Sequence, residues 1–130
     1  MADLILGWPA KALHPNARVH WAVRARAARE ARQTAAWATK AAWARLTLPD
    51  GPLHLWIDFF PPDRRKRDDD GLLAAFKPHR DGIADALGID DSRFVSHPML
   101  RHGEVRPAGQ VAVRITGGPP CGAASSAGES

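Results

Sequence analysis

Hydrophobic and polar positions alternate in several distinct rhythms along this chain. Leu4-Ile5-Leu6-Gly7-Trp8-Pro9 is a short apolar run closed by a proline, which predicts a first strand. Residues 13–21 (LHPNARVHW) are turn-rich, with His-Pro-Asn punctuation. Such a loop can touch a ligand or a second subunit, or simply close over a core. From Val23 to Leu46 the chain is rich in Ala, Arg and Gln and lacks Gly and Pro, which predicts the longest helix. Val23, Ala27, Ala31, Ala35, Ala38 and Ala42 recur at helical spacing as a narrow small-residue face. Trp37 and Trp43 are expected to widen that face and anchor it to a sheet. Arg24, Arg26, Arg29, Arg32, Lys40 and Arg45 form the solvated side.

Leu48-Pro49-Asp50-Gly51-Pro52 is a turn. Leu53, Leu55, Ile57 and Phe59 then alternate with His54, Trp56, Asp58 and Phe60 in a strong strand stopped by Pro61-Pro62. A second helix is predicted from Asp70 to Leu87, with Leu72, Phe76, Ile83 and Leu87 on one side and Asp70, Lys77 and Asp81 on the other. Pro78 removes the hydrogen bond to the Ala74 carbonyl and disfavours helical geometry at Lys77, so a kink or break is expected there. Gly88 is placed to end the helix. Arg93 to Leu100 and Gly109 to Thr116 read as two further strands, with the turns between them suggesting a hairpin. These elements predict one α+β domain: a mixed β-sheet with two main helices. Residues 1–117 make up the domain, and residues 118–130, rich in Gly, Ala, Ser and Pro, read as a disordered tail.

Length and composition agree with a single globular domain, since 130 residues build one core but not two. The lone cysteine, Cys121, excludes a disulfide framework and a thiolate metal site, and fits a reducing cytoplasm. No apolar run approaches the ~20 residues of a membrane span, so no membrane partner is expected. Charge changes the picture more. The net charge is +4, which favours an anionic partner. Residues 1–67 hold 12 Lys/Arg against 5 Asp/Glu, whereas residues 68–130 hold 6 against 9. Negative charge is thus focused within a basic protein.

The focus is Arg64-Arg65-Lys66-Arg67-Asp68-Asp69-Asp70, followed twenty residues on by Asp90-Asp91-Ser92. Clustered carboxylates repel unless a cation sits among them. A hard ion such as Mg²⁺, which takes oxygen ligands and accepts phosphate as a co-ligand, is one candidate; the adjacent basic run is the other. Asp68 and Asp70 lie at a loop-to-helix junction and can converge on one ion. Asp91 lies beyond a helix roughly 27 Å long if straight. For Asp91 to join them, the helix must break, the loop must return along it, or a second subunit must supply a partner. Lys77, on the Asp70 face, is placed to offset negative charge developing on a phosphate. Arg64, Arg65, Lys66 and Arg67 would hold flanking phosphates. Each acidic motif also has a plain structural reading: a solvated helix start and a turn. Asp81 is expected to pair with Lys77 on the surface.

The run Arg65-Lys66-Arg67-Asp68-Asp69-Asp70-Gly71-Leu72-Leu73, then Lys77, then Asp85-Ala86-Leu87-Gly88-Ile89-Asp90-Asp91-Ser92, resembles the RusA family of crossover-junction endodeoxyribonucleases, the Holliday junction resolvases of phages and prophages. The match is close over about residues 64–95. It implies a homodimer acting on four-way junction or other branched DNA, with Mg²⁺-dependent symmetric nicking. It implies Asp68, Asp70 and Asp91 as metal ligands that converge, and a cytoplasmic site of action in a bacterial or phage-infected cell. Gly71 stands where the family usually has Asn, and Ala74 where it often has Lys; Lys77, one turn further on, is the substitute. The competing expectations are a non-catalytic or decayed DNA-binding domain, and a nuclease for other branched DNA.

Overall fold

The computed structural model describes residues 3–67 and 69–117. Asp68 and the expected tail, 118–130, lie outside the described residues. The chain forms strand β1 (Leu4–Gly7), a 3₁₀ turn (Lys11–Leu13), helix α1 (Trp21–Ala42), strand β2 (Leu53–Phe60) and helix α2 (Asp69–Leu87). A second 3₁₀ turn (Asp91–Arg93) leads into strand β3 (Phe94–Leu100), and strand β4 (Gln110–Gly117) completes the order. The fold is α+β, with two helices and a four-stranded mixed sheet in a single domain.

Strand order is β1-β4-β2-β3. β3 runs parallel to β2, with Leu53 opposite Phe94, while β4 is antiparallel to both β1 and β2. The expected β3–β4 hairpin is therefore wrong, because β2 lies between those strands. The segment joining them passes around the end of β2 instead. Arg101 N–H donates to the Phe59 carbonyl and Arg106 N–H to that of Pro61, each at 2.9 Å. The Arg106 guanidinium lies 3.7 Å from the Phe60 ring centroid. Turn residues alone do not distinguish a two-strand reversal from this wrap.

The alternation in β2 sorts its side chains by face. Leu53, Leu55, Ile57 and Phe59 are fully buried with Val111, Val113 and Ile115 of β4 against Leu72, Phe76 and Ile83 of α2. Phe59 and Phe76 meet edge to face with centroids 5.8 Å apart. Burying side chains of this size is worth about 1.5–3 kcal/mol each. The other face of the sheet carries His54, Trp56, Asp58, Val95, His97 and Met99, and no helix of the described residues covers it.

Helix α1 departs from expectation at both ends. It starts at Trp21 because the His20 imidazole accepts the Ala22 N–H at 3.1 Å as an N-cap. It stops at Ala42, and Trp43, at the C-cap, is buried in the core. Trp37 does not anchor anything: it is 65% exposed. The small-residue face packs mainly on α2, where a Cβ added at Gly82 would lie 2.1 Å from the Arg32 carbonyl oxygen. Only glycine permits that approach.

Helix α2 runs unbroken through Pro78. The proline forgoes one hydrogen bond, at a cost of about 3 kcal/mol, and the exposed Ala74 leaves the freed carbonyl on the solvent side. Burial of Leu72, Phe76 and Ile83 on either side outweighs that loss. Gly88 ends the helix as expected, at φ +70°. Its N–H donates to the Asp85 carbonyl at 3.2 Å and that of Ile89 to Ala84 at 3.1 Å, a Schellman closure. Among the described residues, no helix is long and apolar enough to cross a membrane.

Candidate active site and nucleic-acid face

Two surface regions hold the residues singled out by sequence. The first surrounds the basic run. Pro61-Pro62 ends β2, and Asp63 organises the loop beyond it: its carboxylate accepts the Arg65 N–H at 2.9 Å and pairs with the Arg67 guanidinium at 2.9 Å. The Arg65 N–H, and then the Arg67 guanidinium, hold the Asp63 carboxyl below the usual carboxylate range. Arg67 also donates to the Asp63 and Arg65 carbonyls and lies 5.4 Å from the Trp8 ring centroid. Its side chain is only 13% exposed. Trp8 in turn meets Phe59 edge to face at 6.0 Å. Arg67 therefore ties the loop to the core, while Arg64, Arg65 and Lys66 stand in solvent. Asp70 lies in the first turn of α2 beside them, lining a depression of about 420 Å³ with His14, Asn16, Lys66, Arg67 and Gly71.

The second region lies along the other half of α2. After Gly88 the chain turns back, and the Asp90 carboxylate accepts the Ser92 N–H at 2.9 Å. That hydrogen bond holds the Asp90 carboxyl below its ordinary range. Asp91 is thereby returned to α2, with its carboxylate 3.8 Å from Lys77 Nζ and 3.8 Å from Arg80 Nη1. Lys77 also meets Asp81 at 3.2 Å, the i,i+4 pair read from sequence. Arg80 Nη2 donates to the carbonyls of Asp91 and Phe94, each at 3.0 Å, and so pins the returning turn. Across the depression, Arg32 of α1 grips Asp85 with two nitrogens, the longer bond being 2.9 Å. Asp81, Asp85, Asp90 and Asp91 line this depression of about 390 Å³ together with Arg32 and Lys77.

Of the four residues assigned to catalysis, the structure brings Lys77 and Asp91 together. Asp70 lines a different depression, one end of α2 away, and Asp68 lies outside the described residues. Among the described residues, no three Asp, Glu, His or Cys side chains are placed to hold one ion. Return of the loop along the helix, not a break at Pro78, is how Asp91 reaches its position. Sequence reasoning missed Arg80 and Arg32. Neither left a signal, because the partners of Arg80 are backbone carbonyls 11 and 14 residues away and that of Arg32 is 53 away.

No family model matches this chain. An uncharacterized protein of Xylella fastidiosa (strain Temecula1) is 59% identical over 119 residues, covering 90% of this chain and 77% of the relative. The chain belongs to the same protein family as this Xylella protein.

Proposed function

We propose that this protein is a metal-dependent, structure-specific endodeoxyribonuclease of the RusA type, which resolves four-way junctions by symmetric nicking as a homodimer. The observation that carries this reading is the return of Asp91 to the flank of α2, within 3.8 Å of Lys77. That places a carboxylate from the second acidic motif beside the helix the first one opens. The candidate donors, Asp68, Asp70 and Asp91, offer only carboxylate oxygen, which suits a hard cation such as Mg²⁺. Within one chain Asp70 and Asp91 line separate depressions, so for these three residues to share an ion the second subunit of the homodimer would have to supply one of them. When bound, the ion supplies Lewis acidity to a scissile phosphate and to an attacking water. Lys77 offsets negative charge on the phosphate as the bond breaks. Arg80 keeps Asp91 in place through the two carbonyls it holds. Arg64, Arg65 and Lys66 bind flanking phosphates, and Arg67 fixes their loop. DNA as substrate puts the protein in the cytoplasm of a bacterial or phage-infected cell.

The expected result is Mg²⁺-dependent paired nicking of a synthetic four-way junction. Asp70→Asn and Asp91→Asn should each lower the rate by at least about a hundredfold while leaving junction binding intact. A second reading, a non-catalytic DNA-binding domain, is favoured by the placement of Asp70 and Asp91 in separate depressions. Binding without cutting by the unaltered protein, in Mg²⁺ or Mn²⁺, would decide for it. Cutting of flaps or forks in preference to junctions would assign the enzyme to other branched DNA.

A further inference from the structure

The depression beside Asp70 does not stand alone. It shares His14, Lys66 and Arg67 with a second of about 300 Å³, bounded by Trp8, Lys11 and Pro62. That one shares Arg65 and Arg67 with a third, reaching Arg64 and His102. The first two adjoin as a trough that ends at the start of α2, and the third lies beyond Arg65 and Arg67. The basic run is one wall. Residues 8–16 form the other wall, with Lys11 exposed upon it.

That second wall is held in shape. Leu13 is buried, and Arg24 of α1 donates to the His14 carbonyl at 3.1 Å and the Ala17 carbonyl at 2.8 Å. The charge balance is one-sided. Asp63 offsets Arg65 and Arg67, so Lys11 and Lys66 present cations along the trough, with Arg64 beyond it, and Asp70 stands at its α2 end. A row of exposed cations on two preorganised walls matches a sugar–phosphate backbone better than a compact anion.

We infer that residues 8–16 are a second DNA-binding wall, with Lys11 contacting the phosphates of the same strand that Arg64, Arg65 and Lys66 hold, and that this strand is led towards Asp70. The inference rests on the proposed DNA-processing role, but it concerns binding and is tested without cleavage.

The test is fluorescence anisotropy of a labelled four-way junction and of a linear duplex, in EDTA, across a salt series. Lys11→Ala should weaken binding several-fold at 0.1 M salt and flatten the slope of log K against log salt by about 0.9, the signature of one lost phosphate contact. Lys11→Glu should weaken it further, and Lys40→Ala, on α1 outside the trough, should change neither quantity. Lys11 is exposed, and a thermal melt identical to that of the unaltered chain checks that folding is intact. Unchanged affinity and slope in both Lys11 variants would overturn the second wall, while leaving the nuclease reading to its own cleavage assay. Lys11-dependent binding by a protein that never cuts would uphold the wall and remove the nuclease. Absence of any DNA binding by the unaltered chain would remove both.

Discussion

Burial of His79 sets an acid limit on the fold. Its ring stacks on Phe76 at 5.2 Å with an interplanar angle of 11°, and it is 7% exposed. Burial pushes its pKa down to about 4 from the ordinary 6.5, with the Phe76 backbone opposing the shift. Between those values the unfolded chain takes up a proton that the folded chain refuses, so acidification favours unfolding. Above pH 6.5 the residue contributes nothing of this kind; by pH 4 the loss approaches about 3 kcal/mol. Urea midpoints measured from pH 7 to pH 4 should fall accordingly, and His79→Leu should flatten that fall. An equally steep decline in the variant would exonerate His79. At this scale the sequence was informative for contacts of one helical turn, such as Lys77 with Asp81. It was silent on Arg80, Arg24 and Arg93, whose guanidinium groups hold carbonyls supplied by remote parts of the chain.

Between elements, the approach of α1 to α2 depends on Gly82. Alanine there would gain about 1 kcal/mol of helix propensity. Its Cβ, however, would lie 2.1 Å from a backbone oxygen that has no flexible end to move aside. We expect Gly82→Ala to lower stability by about 2 kcal/mol or more, read as a lower urea midpoint. Gly88→Ala meets no neighbour within 4 Å but keeps φ +70°, so its cost should be smaller, about 1 kcal/mol. Stability at or above that of the unaltered chain in Gly82→Ala would contradict the packing described. Periodicity located both α-helices and strand β2, because burial on one face leaves its rhythm in the residues. It misjudged Pro78, since the expected break weighed one hydrogen bond and not the core side chains flanking it. Trp37 was misjudged for a related reason: the stripe of small residues faces α2, and a bulky ring had no place in that seam.

For the whole molecule, the open side of the sheet leaves Val95 41%, Ile5 48% and Met99 51% exposed. Asp70 and Asp91, meanwhile, face separate depressions within one chain. The proposed homodimer predicts a particle of twice the 14.1 kDa chain mass in sedimentation at micromolar concentration. A strictly monomeric protein that still cuts junctions symmetrically would refute that assembly. The acidic and basic motifs of the candidate site were legible, because consecutive charges are visible in one dimension. Which acids meet was not legible. That depends on where the Asp90–Asp91–Ser92 turn docks, and its anchors lie on α2 and at the β3 entrance.

The strand order has a consequence for how the protein is made. Among the described residues β1 pairs with β4 and with no other strand, yet β2, α2 and β3 are all made before β4. Leu4–Gly7 must therefore wait, unpaired, until Gln110–Gly117 has been synthesised. A nascent chain stalled before Gln110 would hold β2 and β3 side by side, with Val111, Val113 and Ile115 missing from the middle of the core. Such an intermediate exposes apolar surface and strand edges at once, which invites aggregation. Translation pauses between β3 and β4, more than those ahead of β2, are where this protein would call on a chaperone.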